Sequence, residues 1–215
     1  MTGITAKVIA DSVNPDGVRL TSVQARYPRI ILAEQNTHRA LSRSTRSSRA
    51  VPISVMMREV RRDPAMPVEF GGAKSGMQSS GPLTGWRARL ARSAYRGARW
   101  PALVFAWVML KAGAHKQVAN RILEPWAWSD TIITATEWEN YFALRDHPDA
   151  DPTMRALAVA IRRAMQASQP TRLDYGEAHM PYVEKGPVLC PREMMDVSAA
   201  RCARVSYTAP SGQSS

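Results

Sequence analysis

Between Ala33 and Pro52 the chain reads AEQNTHRALSRSTRSSRAVP, in which Arg39, Arg43, Arg46 and Arg49 are interleaved with serines and threonines behind a single histidine, His38. Guanidinium groups donate paired hydrogen bonds to phosphate oxygens and hydroxyls add further donors, so this is the composition of a phosphate-recognition loop. A solvated basic loop has the same composition, and residue types alone leave both readings open. Other chemistries lack their residues. Histidines at 38, 115, 147 and 179 form no HxxxH or HExxH pair, so metal catalysis has no support and no metal ligand is assigned. No GxSxG is present to build a nucleophile elbow. GGAKSG, at 71–76, is glycine-rich but lacks the GxxxxGK[ST] spacing of a phosphate loop.

Charge points the same way as the arginines. Lys and Arg number 29 against 18 Asp and Glu, a formal net charge of +11, which favours anionic partners: nucleotides, polyphosphate cofactors, nucleic acid or an anionic membrane surface. The longest apolar run, WPALVFAWVML, is about half the roughly 20 residues of a membrane span, and MTGITAKVIADSV has no basic-then-apolar leader pattern. Cys190 and Cys202 show neither CxxC nor Cys/His ligand spacing, so a structural zinc or a disulfide framework is not expected. A reducing, cytoplasmic setting is the expectation. With 45% hydrophobic residues, 215 residues suffice for one core, and a single domain over 1–215 is expected.

The elements that must position the arginines can be sketched from pattern. Residues 4–13 and 18–25 are rich in β-branched side chains and flank Asn-Pro-Asp-Gly, which predicts a β-hairpin. RIILAEQNTH reads as a short helix started by Pro28, and PISVMMREVRR as a second helix started by Pro52, which leaves most of the arginine segment as a loop between helices. Residues 64–82 read as irregular, and 84–123 as helical with breaks near Gly97 or Pro101 and near Gly113. Arg89, Arg92, Arg96 and Arg99 recur at helical spacing and read as one solvated face. DTIITATE reads as a short strand or extended link, WENYFALRDH as a helix ended by Pro148, and TMRALAVAIRRAMQASQP as an amphipathic helix ended by Pro170; the SGQSS tail reads as disordered. Strands and helices without βαβ alternation predict an α+β fold with a mixed sheet.

Three blocks resemble one known family. His38-Arg39 followed after seven residues by Ser47 is similar to the HRx7S core of the flavin-dependent thymidylate synthases, whose fuller signature is RHRx7S, and Ser48-Arg49 continues it. Arg121 to Pro125, within NRILEP, resembles the family's RxxLP element. TATEWENYFALR, 134–145, resembles the segment in which an Asn is followed five residues later by an Arg. The resemblance implies a flavin-dependent thymidylate synthase-like α+β fold, a homotetramer with active sites where subunits meet, and FAD bound without a GxGxxG turn. It implies C5 methylation of a uridine monophosphate, dUMP or UMP, with methylenetetrahydrofolate as one-carbon donor and NADPH as reductant. A cofactor of this kind carries the chemistry and the protein orients it.

Residue by residue, the resemblance implies that His38 and Arg39 line the flavin, with Arg39 also placed to stabilise negative charge. It makes Asn140 a flavin contact and Arg145 a donor to the pyrimidine carbonyl, so that Arg39 and Arg145 are the candidate catalytic groups. Ser47, Arg49 and Arg121 would hold the nucleotide, and Ser42 and Glu34 are weaker candidates. Asn140 and Arg145 lie about 140° apart around a helix, consistent with different ligands. The chain also departs from the family pattern: Thr37 stands where the signature begins with Arg, Glu34 and Thr45 where members place Gln and Glu, and Asp149 where they place a flavin-contacting His, for which His147 is the nearby substitute. The flavin histidine that the family places ahead of the signature is absent. These departures leave the pyrimidine open among dUMP, UMP and dCMP, and the product open between methyl and hydroxymethyl. A basic nucleic-acid-binding protein and a flavin or nucleotide binder without catalysis are the readings from other classes.

Overall fold

The structure is a computed structural model that describes residues 3–76, 78–183 and 191–205. Strands β1 (Thr5–Val13) and β2 (Arg19–Pro28) form the expected antiparallel hairpin. Its turn is closed by Asn14, whose Oδ1 accepts from Val18 N at 2.8 Å, and Gly17 supplies the φ of 81° that a side chain would resist. β2 pairs with β4 (Trp128–Ala135), β4 with the short β3 (Ser42–Thr45), and β1 runs parallel to β5 (Thr171–Arg172). The order β3-β4-β2-β1-β5 makes a mixed five-stranded sheet, so the α+β expectation is met.

Alternation decides which face of the sheet is apolar. Val23, Ala25 and Tyr27 of β2 and Ile133 and Ala135 of β4 point to one side, where helix α7 (Pro152–Gln166) lays Met154, Leu157, Ala158 and Ile161 over them at the 3, 4, 7 spacing of an amphipathic helix. Asp151 starts α7, its Oδ1 accepting from Thr153 N at 2.9 Å and Met154 N at 3.0 Å, with Pro152 in the first turn. Trp138 and Tyr141, the latter from helix α6 (Glu139–Arg145), close the same core. A second apolar cluster joins Met56 and Val60 of helix α2 (Ile53–Arg62), Leu103 and Ala106 of helix α4 (Arg99–Lys111), and Leu123 and Trp126 of the 3-10 segment Asn120–Trp126.

Two expectations are corrected and one is qualified. Pro28 ends β2 instead of starting a helix; only a 3-10 turn (Arg29–Ile31) and the four-residue helix α1 (Leu32–Gln35) follow, because Tyr27 and Ile31 are drawn into the core on either side. The arginine segment is mostly turn and loop as expected, but it also holds an unexpected strand, since β3 lies within it and pairs with Thr131–Thr134. The four arginines do not share a solvated face: Arg89, Arg92 and Arg96 are exposed on helix α3 (Gly85–Gly97), but Arg99 belongs to α4 and is buried, its guanidinium bonding Arg96 O and lying 4.5 Å over the Trp100 ring. The break falls at Ala98, and Pro101 is accommodated in the first turn of α4, where its missing N–H has no helical acceptor. Helices α5 (Lys116–Ala119) and α8 (Pro191–Arg204) complete the chain. Among the described residues no helix is long and apolar enough to cross a membrane. Cys190 and the SGQSS tail lie outside the described residues.

Candidate functional site

The first and third signature blocks meet. The turn from Thr37 to Leu41 and the segment from Thr136 to Arg145 face each other across a cleft of about 630 Å³, lined among others by His38, Arg39, Asn140 and Arg145. These two pairs, more than ninety residues apart in sequence, are brought together because β3 pairs with β4, which sets the start of β3 beside the end of β4 that leads into α6.

His38 is the buried member, 8% exposed, with its ring edge-on to Tyr141 at 4.9 Å. Arg145 Nε donates to His38 Nε2 at 2.7 Å. Burial, then the positive charges of Arg145 and Arg43, hold the imidazole below its usual value, so the ring is neutral at physiological pH. Arg145 is oriented by two further groups: Nη2 donates to Thr37 Oγ1 at 3.4 Å and Nη1 pairs with Glu34 Oε2 at 3.8 Å. Thr37 itself donates to Glu34 O at 2.7 Å. An arginine at 37 would set a second cation against Arg145, whereas the threonine hydroxyl accepts from it. Departures at 34 and 37 therefore act together, on Arg145.

The four arginines of the opening segment divide by what they reach. Arg43 Nη1 donates to the backbone carbonyls of Gln35 and His38, which shapes the turn carrying His38. Arg46 is buried and holds both carboxylate oxygens of Glu59, at 2.8 and 3.1 Å, with Asp130 at 3.6 Å; desolvation raises the Asp130 carboxyl despite the nearby arginines. Arg39 and Arg49 are exposed and have no hydrogen-bond or ion-pair partner among the described residues. Two guanidiniums are thus structural and two are available to a ligand.

The second block joins the first through its buried residues. Asn120, fully buried, donates from Nδ2 to Ser48 O at 2.7 Å and Val51 O at 2.8 Å. Glu124 Oε1 accepts from Ser48 Oγ at 2.6 Å and pairs with Arg29 Nε at 3.2 Å. These bonds fasten the 47–51 turn, leaving the Ser47 hydroxyl without a partner among the described residues. Arg121 is exposed and lines a shallower depression of about 390 Å³ with Arg29 and Glu124, distinct from the first cleft. Neither Ser47 nor Arg49 lines either depression, and Ser42 is exposed on β3. His147 is outside the residues lining the cleft, and its Nδ1 accepts from Asp149 N at 3.2 Å. Thr45 sits in a chain of hydroxyls with Thr131 and Tyr27.

Gln35, Tyr141 and Asn120 were not among the sequence candidates. Tyr141 donates to Gln35 Oε1 at 3.1 Å beneath His38, and both side chains are buried. Asn120 had a usable signal, since it directly precedes the second block and is polar beside an apolar run. The other two had none, because a buried Gln–Tyr pair shows only in tertiary contact.

The chain contains groups that suit a planar, negatively charged cofactor: a cleft of ordinary ligand-site size, a buried neutral imidazole, and at its lining the exposed side chains of Arg39 and Asn140, which have no partner among the described residues. No group of three metal-ligating side chains occurs among the described residues. No protein-family model and no curated protein matches the sequence. Solved structures do match. The UMP/dUMP methylase PolB from Streptomyces cacaoi bound with 5-Br dUMP superposes with a TM-score of 0.61 at 15% identity, over 77% of this chain and 90% of that one. The same enzyme bound with 5-Br UMP gives 0.57 at 15% identity, over 96% and 97%. The flavin-dependent thymidylate synthase ThyX from Helicobacter pylori complexed with FAD and dUMP gives 0.48 at 14% identity, over 68% and 67%. The likeness to PolB extends over nearly the whole chain, and the fold is the one shared with that UMP/dUMP methylase.

Proposed function

We propose that the protein is a flavin-dependent methylase acting at C5 of a uridine monophosphate, with methylenetetrahydrofolate as one-carbon donor and NADPH as reductant. The observation that carries this reading is the cleft in which the His38-Arg39 block and the Asn140/Arg145 block, remote in sequence, face each other. Bound FAD supplies the hydride chemistry that no protein side chain offers. The residues of the chain bind and orient. Arg39 and Asn140 hold the flavin, and Arg39 places positive charge where reduction leaves negative charge. Arg145, aimed by His38, Thr37 and Glu34, donates to the pyrimidine carbonyl. Ser47 and Arg49, on a turn that Asn120 and Glu124 keep in place, take the phosphate together with Arg121.

Self-association belongs to this reading. Helix α3 has no buried residue in the single chain, and α3 and α4 expose Trp86, Leu90, Trp100, Val104, Phe105 and Trp107, each between 49% and 64%. An apolar area of this kind marks an interface. It supports the homotetramer that the family resemblance implies, with a neighbouring subunit completing each site.

The test offers the purified protein FAD, NADPH and methylenetetrahydrofolate with dUMP, UMP or dCMP, and identifies the product by mass. A methylated uridine nucleotide is expected. A hydroxymethylated product would move the protein to a hydroxymethylase of the same fold, and a protein that stays colourless after FAD addition and forms no product would overturn the reading.

A further inference from the structure

The cleft holds one imidazole whose two nitrogens have different surroundings. His38 Nε2 lies 2.7 Å from Arg145 Nε, a group that is always protonated and can only donate. An imidazole nitrogen that accepts a hydrogen bond carries no proton, so in a neutral ring the proton resides on the other nitrogen. Nδ1 has no partner among the described residues and is not among their buried unpartnered atoms. It therefore has an open side, and His38 lines the cleft.

The geometry points to Arg145 as a positioning residue that fixes the Nδ1–H tautomer of His38, so that this buried ring presents the cleft with a hydrogen-bond donor. The ligand class that suits it is a planar heteroaromatic ring carrying an acceptor, a carbonyl oxygen or an unprotonated ring nitrogen. This rests on the flavin reading only for the identity of that ring. The lock itself belongs to the protein alone. It is supported from each element around the ring: Arg145 comes from α6 and Arg43 from β3, both cationic, Tyr141 packs edge-on, and Glu34 reaches the outer side of Arg145 without contacting the imidazole. Adding a proton to Nε2 would set N–H against N–H in a desolvated place. His38 accordingly serves as a fixed donor and not as a proton shuttle near neutral pH.

Nitrogen-15 NMR of protein labelled in histidine tests this on the whole chain, as purified and with FAD added. The His38 signals are assigned by their loss in His38→Asn. An unprotonated Nε2 and a protonated Nδ1, unchanged between pH 8 and 6, are expected. Arg145→Met should release the ring, shifting it towards the Nε2–H form and moving its titration upward, while Arg145→Lys, which keeps a cationic donor, should retain more of the wild-type pattern. A protonated Nε2 in the wild type, or a tautomer unaffected by Arg145→Met in a variant whose folding is confirmed by its other histidine signals, would overturn the lock. The tautomer is read without ligand, so a failure of FAD to bind would count against the flavin reading while the NMR pattern still decides the lock.

Discussion

Asn120 ties two carbonyls with one amide nitrogen, donating to Ser48 O at 2.7 Å and Val51 O at 2.8 Å from a fully buried position. The residue directly ahead of the second signature block thereby sets the conformation of the turn that ends the first. With Ser48 bonded to Glu124, the side chains of the neighbouring Ser47 and Arg49 are left without partners among the described residues. Asn120→Ala strands both carbonyls, and the expected cost is about 2 kcal/mol of stability. Nucleotide affinity should fall with it. Chemical denaturation and nucleotide titration check the pair of effects; a loss of stability alone would mean that the turn does not hold nucleotide.

Arginines of one short segment should separate into two classes by experiment. Arg46→Ala leaves Glu59 unpaired and removes one of the two arginines near Asp130, and should cost about 3 kcal/mol. Arg39→Ala removes an exposed, unpartnered group, so its melting temperature should stay near wild type while FAD affinity drops about tenfold or more, the scale of one lost charge-assisted contact. Thermal melts and flavin titration distinguish them. Equal destabilisation by the two variants would contradict the division.

Ligand roles should split between Asn140 in the cleft and the exposed arginines outside it. Arg49→Ala and Arg121→Ala should weaken nucleotide binding more than flavin binding, and Asn140→Ala should do the reverse. Calorimetric titration of each variant with FAD and with dUMP or UMP gives the comparison. Parallel losses for both ligands would refute these assignments.

Stability should decline as the pH falls from 7 towards 5. Burial depresses both His38 and His179; the latter bridges Ser12 Oγ and Ser22 Oγ at 2.8 and 2.9 Å across the polar side of the sheet. A histidine that binds its proton less readily when folded stabilises fully above its unfolded value near ~6.5, and that contribution is lost as the pH falls through the lowered folded value. Melting temperature against pH should therefore slope upward between 5 and 7, and His179→Gln should flatten part of the slope. A wild-type profile flat over that range would show that neither ring is held neutral by the fold.

Periodic and local features were legible in the amino-acid order. Asn14 to Gly17 between two β-branched runs dictates a hairpin, Met154 to Ile161 an amphipathic helix, and the interval from His38-Arg39 to Ser47 marked the ligand segment, because each depends on neighbours within a few residues. β3 escaped notice, since Ser42–Thr45 has no apolar alternation and becomes a strand only because β4 offers its edge. Helix α8 was likewise not anticipated.

Within the arginine segment the same division holds. Residue type and spacing made it a candidate anion-binding segment, because guanidinium chemistry and the long-range charge travel with the chain whatever its conformation. Which arginines stay free for a ligand, and which hold the fold, was decided only when Glu59, Asp130 and the carbonyls of Gln35 and His38 came within reach of Arg46 and Arg43. A hydrogen bond acts over about 3 Å, and the partners that make a given arginine structural lie up to 84 positions away in sequence, as Asp130 does from Arg46.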